Sequence, residues 1–356
     1  MIRRLAAFAA FATVILIGAG GVVTNTDSGL ACPDWPTCFG SVVPKMAGNV
    51  AVEHTHRLIA TAVGLCAVLL VVLTLRRVGQ GMLALGLAGF STLILGASFW
   101  AGYVKHHAGE LPVLGVALVA LGYAGFVWAI GRARETDGKL AASALGLVMF
   151  QGLLGGLTVL YRLPTLVLVM HLGTSMLFLS LALVLALRLA SGSAPAGAGG
   201  QLAAAPRGLL WLTAAAVYLQ IILGATVRHT GAGLVCTDLP FCRGALWPTD
   251  VHPMVHLHMA HRAFAFIVLA LVAVSSWRTV KATTGLVRVL AIAAPLLVLV
   301  QIALGIATIL TFKDLVPLTA HLLAGALLLC CEVSLLALTS AAETSPSLHF
   351  STSRLA

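Results

Sequence analysis

Apolar residues in this chain come in long runs, not in the short alternating or three-four patterns of soluble elements. Ten runs stand out, at roughly 5–23, 50–75, 79–104, 111–131, 140–161, 163–187, 208–228, 256–277, 289–311 and 315–340. Each is long enough to cross a bilayer as a helix, which takes about 20 residues. Polar residues gather at the ends of the runs. The pattern predicts an all-α integral membrane fold of about ten transmembrane helices. The opening "MIRRLAAFAAF" also has the make-up of a secretory leader, a charged start before an apolar stretch. A matching segment inside the chain favours a retained helix.

That match belongs to a duplication. "GGVVTNTDSGLACPDWPTCFG" (20–40) aligns without a gap with "GATVRHTGAGLVCTDLPFCRG" (224–244), an offset of 204. "EHTHR" (53–57) meets "HMAHR" (258–262) at an offset of 205, and "QGLLGGLTVL" (151–160) meets "QIALGIATIL" (301–310) at 150. His56 to Gln151 spans 95 residues but His261 to Gln301 only 40, so the first copy carries 55 extra residues, enough for a helix pair. The expected organisation is two parallel four-helix-bundle repeats. The first covers 1–188 with an inserted two-helix hairpin at about 79–135. An inner-side linker follows at 189–206, the second repeat at 207–341 and a disordered tail at 342–356.

Composition agrees. The chain is 60% hydrophobic and 9% charged, against about a quarter charged in soluble domains. The formal charge of +10 raises nucleic acid as a partner, and its distribution removes it. With the N-terminus inside, thirteen Lys and Arg fall on inner segments and six on outer ones. This is the positive-inside bias that orients a membrane protein in its lipid bilayer. A bacterial inner membrane with both termini cytoplasmic is expected, since no Arg- and Ser-rich transit segment precedes the first run.

Four of the twelve histidines fall at equivalent positions inside predicted spans: His56, His171, His261 and His321. One lies on the second helix and one on the last helix of each copy, at similar depth. Two imidazoles on facing helices are what a six-coordinate haem iron requires. A lone intramembrane histidine is more often a hydrogen-bonded packing residue, and the duplication weighs against that here. Zinc, which needs more clustered ligands, stays open in the second copy, where His256 and His258 lie near His261. The remaining histidines, His54 among them, are expected in loops or at the surface. Gly152, Gly155, Gly156 and Gly305 either admit a ring or serve close helix packing. Arg57 and Arg262, each following a ligand candidate, suit either a haem propionate or lipid headgroups.

The copies differ at one informative place. Glu53 stands three residues before His56, and its equivalent is His258. A carboxylate there is a candidate proton acceptor or charge stabiliser; the plainer reading puts it in water at the helix mouth. The contrast suggests that one copy does chemistry and the other moves electrons. Cysteines pair off in the outer loops, where an oxidising compartment favours two disulfides, Cys32–Cys38 and Cys236–Cys242, with a metal site as the alternative. They serve as staples or as reversible redox pairs. Cys66, Cys330 and Cys331 are expected to pack in spans.

"TDSGLACPDWPTC", "EHTHR", "QGLLGGLTV" followed by "VMHLG", and the echoes "HMAHR" and "TAHLL" together resemble the haem A synthase family over most of the chain. The resemblance implies an oxidoreductase that converts haem O to haem A, oxidising the C8 methyl to a formyl group through successive hydroxylations. It implies that His56 and His171 hold the substrate or product haem, that Glu53 is needed for activity, and that His261 and His321 hold a haem b that carries electrons away. It also implies a disulfide at Cys32–Cys38 that helps handle haem, and haem O synthase and the cytochrome oxidase assembly machinery as partners. The insertion departs from the family's usual eight helices. A homo-oligomer is compatible with all of this. Two other readings remain, a bis-histidine dihaem b electron carrier without substrate chemistry and a transporter.

Overall fold

The computed structural model describes residues 1–191, 206–249 and 251–340. Its elements are α1 (Ile2–Asn25), α2 (Gly48–Arg77), α3 (Gly81–Ala108), α4 (Val113–Gly131), α5 (Thr136–Leu160), α6 (Thr165–Ser191), α7 (Arg207–His229), α8 (Pro253–Ala282), α9 (Gly285–Leu310) and α10 (Leu315–Ser340). A single 3-10 turn, Ala232–Leu234, follows α7. All ten α-helices are long and apolar enough to span a membrane, and no strand occurs among the described residues. The protein is an all-α, multi-pass membrane protein. α6 runs on to Ser191, into the stretch read as linker. The rest of that linker at 192–205, and the tail from 342, lie outside the described residues.

Helix ends follow local chemistry. Gly109 closes α3 in the left-handed conformation that glycine takes without strain. Arg76 and Arg77 occupy the last turn of α2, where cations oppose the negative end of the helix dipole. Pro253 opens α8, where a missing N–H costs nothing, and His252 Nδ1 accepts from Met254 N–H at 3.3 Å.

α1, α2, α5 and α6 pack into one bundle, and α7, α8, α9 and α10 into another. α3 and α4 pack on each other and lean on α2 and α5. α4 approaches α3 through glycines: a Cβ at Gly122 would lie 2.7 Å from Ile94 and one at Gly125 2.3 Å from Phe90. α1 and α6 meet α7 and α10, so one apolar core joins Ile17, Met176 and Leu179 to Val217, Val272, Val298 and Leu328. Polar contacts span the same seam at the C-terminal end of α1, where Asn25 Nδ2 donates to Thr319 Oγ1 at 3.0 Å.

The backbone repeats itself at the sequence offsets. Phe39 and Gly40 have φ 54° and 71°, and their equivalents Arg243 and Gly244 have 54° and 79°. Arg162 and Leu163 (56°, 62°) are echoed by Phe312 and Lys313 (53°, 68°). Positive φ is uncommon outside glycine, so its recurrence at matched positions is compatible with two copies of one unit.

Candidate functional site

Each of the four histidines lies against a glycine of the preceding helix. A Cβ at Gly20 would stand 3.1 Å from His56 Cε1, and one at Gly224 2.9 Å from His261 Cε1. The corresponding figures are 3.6 Å for Gly155 and His171, and 3.1 Å for Gly305 and His321. These glycines sit at the offsets of 204 and 150. Gly20 and Gly224 open the two aligned stretches, but that they meet a histidine of the next helix shows only once the helices are packed. Gly156 instead faces the Trp35 ring, and Gly152 has open space around it.

His56 and His171 are electrostatic neighbours, as are His261 and His321. His321 Nδ1 contacts the Gln301 carbonyl at 3.0 Å. A carbonyl only accepts, so Nδ1 carries the proton and Nε2 keeps its lone pair. The Nδ1 atoms of His56, His171 and His261 have no hydrogen-bond partner. Glutamine side chains brace the histidine-bearing helices: Gln151 Nε2 donates to His171 O at 2.8 Å and Gln220 Nε2 to His261 O at 2.9 Å. Half-buried imidazoles in neighbouring pairs, each set against a glycine, fit the axial demands of a haem iron.

Glu53 is 4% exposed, not in water. Its Oε2 accepts from Cys32 N–H at 2.8 Å and its Oε1 pairs with Arg57 at 2.5 Å. Arg57 also donates to the carbonyls of Asp34 (2.8 Å), Thr37 (2.6 Å) and Cys32 (3.2 Å), clamping the α1–α2 loop onto α2. Arg262 repeats the clamp with Asp238 (3.0 Å), Phe241 (3.2 Å) and Cys236 (2.5 Å), and donates to His258 Nε2 at 3.2 Å. The two loops thus hang on equivalent arginines, one with a carboxylate beneath it and one with an imidazole. Both disulfides, Cys32–Cys38 and Cys236–Cys242, are present, and Cys66, Cys330 and Cys331 are free.

Asp34 organises the first loop. Its carboxylate accepts from Thr37 Oγ1 (2.5 Å), Phe39 N–H (2.6 Å) and Gly40 N–H (2.9 Å). Burial pushes its pKa up, but these hydrogen bonds together outweigh it and hold the group below the ordinary carboxylate value.

His54 corrects an expectation. Read as a surface residue, it is 5% exposed on α2, with Nδ1 unpartnered. Sequence reasoning dismissed it because it has no twin, yet an unpaired difference between copies is the signal that singled out Glu53. Glu332 was also missed: it is fully buried in α10, neither carboxyl oxygen has a hydrogen-bond partner, and its first-copy equivalent is Ala182.

A family model described as cytochrome oxidase assembly protein matches residues 3–53 and 97–333. The unmatched stretch holds most of α2 and the start of the inserted pair. Among similar proteins, the heme A synthase of Shouchella clausii is 28% identical over 88% of this chain and 88% of its own length. That of Lysinibacillus sphaericus is 28% identical over 94% and 96%, and that of Geobacillus kaustophilus 28% over 90% and 87%. The paired histidines, the loop disulfides and these matches agree, and the chain belongs to the haem A synthase family of cytochrome oxidase assembly proteins.

Proposed function

We propose that this protein is a haem A synthase, an oxidoreductase that takes haem O as substrate and oxidises its C8 methyl to a formyl group. The observation that carries the assignment of roles is Glu53, an enclosed carboxylate near the mouth of the first histidine pair, replaced by His258 at the second. His56 and His171 hold the substrate haem. His261 and His321 hold a haem b, which supplies one-electron chemistry when bound.

The chain's own residues do the rest. The Gly20 and Gly155 surfaces leave room for the imidazoles to face the pocket. Arg57 pairs with Glu53 and fixes its direction, and Cys32 N–H holds the second carboxylate oxygen. A carboxylate so held accepts a proton or stabilises positive charge developing beside it. A haem propionate at the pocket mouth would meet the Arg57 and Arg262 clamps. Two parallel four-helix repeats with α3–α4 inserted into the first, an inner bacterial membrane, cytoplasmic termini, and supply by a haem O synthase for oxidase assembly complete the reading.

Glu53→Ala tests it. The variant should keep its haem but stop converting haem O, so pigment extraction should yield haem O without haem A. Normal haem A output would remove Glu53 from the chemistry, and a protein that carries haem b alone in every preparation would point to an electron carrier.

A further inference from the structure

The two copies differ in charge where their loops close over the histidine pairs. Lys313, in the α9–α10 turn, lies on Gly233 of the α7–α8 loop: a Cβ there would stand 3.0 Å from its Cε and 3.5 Å from its Nζ. At the equivalent place Leu163 lies on Gly29, 3.4 Å from the corresponding point. Leucine therefore suffices to cover this glycine, and lysine adds a charge. Arg228 stands one turn beyond Gly224, the glycine set against His261, and residues four apart share a helix face. Its equivalent is Thr24. Arg228 and Lys313 are electrostatic neighbours of each other, and Lys313 also neighbours His258. Like charges held together repel, and packing gives no reason to gather them here.

We propose that Arg228 and Lys313 bind the propionate carboxylates of the macrocycle in the second pocket and so retain it, whereas the first pocket, with Thr24 and Leu163 at the same places, releases its haem readily. The inference rests on the haem reading of the two pockets. Arg57 and Arg262 do not distinguish them, because both are engaged by carbonyls of their own loops. Arg228 and Lys313 still have donors to offer. Arg228 Nη2 donates to Thr24 O at 3.2 Å and Asn25 Oδ1 at 3.3 Å, but its Nε is buried without a partner. Neither residue forms an ion pair with a described residue; Asp27, the acid that neighbours Arg228, is exposed. A guanidinium and an ammonium give charge-assisted hydrogen bonds to carboxylates, and both side chains are half-buried, where such contacts are stronger than in water. Glu53 in place of His258 sharpens the contrast, since it sets a carboxylate beside the first pocket. The difference suits the two roles: an electron-carrying haem stays through many turnovers, and a product leaves after each.

The test mixes full-length protein, purified with its haem in a neutral detergent free of phospholipid, with excess apomyoglobin, and identifies the haems left on the protein over time. Haem b should leave at least about tenfold more slowly than haem O or haem A, ~1.4 kcal/mol. Arg228→Thr with Lys313→Leu, which installs the first copy's residues, should remove most of that gap. Salt should speed haem b loss from the unaltered protein and not from this double variant, because salt screens an ionic contact and leaves a packing defect as it is. Thr24→Arg with Leu163→Lys should slow release from the first pocket, an arm that leaves the second bundle unaltered. Haem b loss that is unchanged in the Arg228→Thr, Lys313→Leu protein, or equally salt-dependent with and without the two cations, would overturn the proposal. So would a difference that emerges only when anionic phospholipid is added, which would assign the cations to headgroups. Protein without pigment would bring down the haem reading itself; pigment lost from both pockets at one rate would bring down this inference alone.

Discussion

A methyl group added at Gly224 would stand 2.9 Å from His261 Cε1, whereas one at Gly155 would stand 3.6 Å from His171. The first contact is closer than carbon atoms approach and the second is ordinary, so the same substitution should have opposite outcomes. Gly224→Ala should displace the ring, destabilise the protein by ~1–3 kcal/mol and lower the haem b bound per chain; Gly155→Ala should leave haem content near normal. Pyridine haemochrome assay of both variants checks this. Glu53→Gln keeps the size of the side chain but removes the charge that faces Arg57, and turnover should fall by at least about tenfold, ~1.4 kcal/mol of barrier, with haem binding retained. Glu332 has no partner to lose. Its replacement by leucine should be neutral or raise the midpoint of thermal unfolding, as when buried charged groups give way to apolar ones; a drop in midpoint would show that the acid is held by something it binds.

At the scale of elements, the α1–α2 loop is where α3 meets the bundle. The Trp35 ring lies on Gly156 of α5, 2.9 Å from where a Cβ would sit, and its carbonyl lies 3.2 Å from the corresponding point at Gly102 of α3. The inserted hairpin thus walls one side of the loop that holds Glu53. Trp35→Ala should cost ~3 kcal/mol and speed proteolysis of the loop while α3 and α4 stay inserted. The loop also has a pH dependence of known sign. Asp34 is held below its ordinary value of 3.8, so its contribution to stability is complete above about pH 4 and is lost as pH falls through the lower folded value. Asp34→Asn should remove that acid limb from a curve of loop protection against pH. The existence and number of the helices were legible in the runs, because no other element satisfies backbone groups in hydrocarbon. The loop was not: its hydrogen bonds run from Arg57 and Asp34 to carbonyls and amides that no periodicity marks.

For the molecule as a whole, the seam between bundles carries both apolar and polar contacts, so the two sites belong to one body. The purified protein should show a Soret band that shifts on reduction; its absence would remove haem from the account. A C-terminal fusion should be active as a cytoplasmic fluorescent reporter and silent as an exported phosphatase, as the basic excess on inner segments requires. What the sequence determined by itself was the solvent and the number of spans, since both rest on composition and on run length along one chain. What only the tertiary structure decided was which groups are enclosed and what they touch. In the sequence Glu53 is either a functional carboxylate or a group in water at the helix mouth, His54 a loop or surface residue, and Gly20 only the first residue of a repeated stretch. The folded chain buries Glu53 and His54 and sets Gly20 against a histidine from another helix. Burial and pairing depend on atoms far apart in sequence, and no local pattern encodes them.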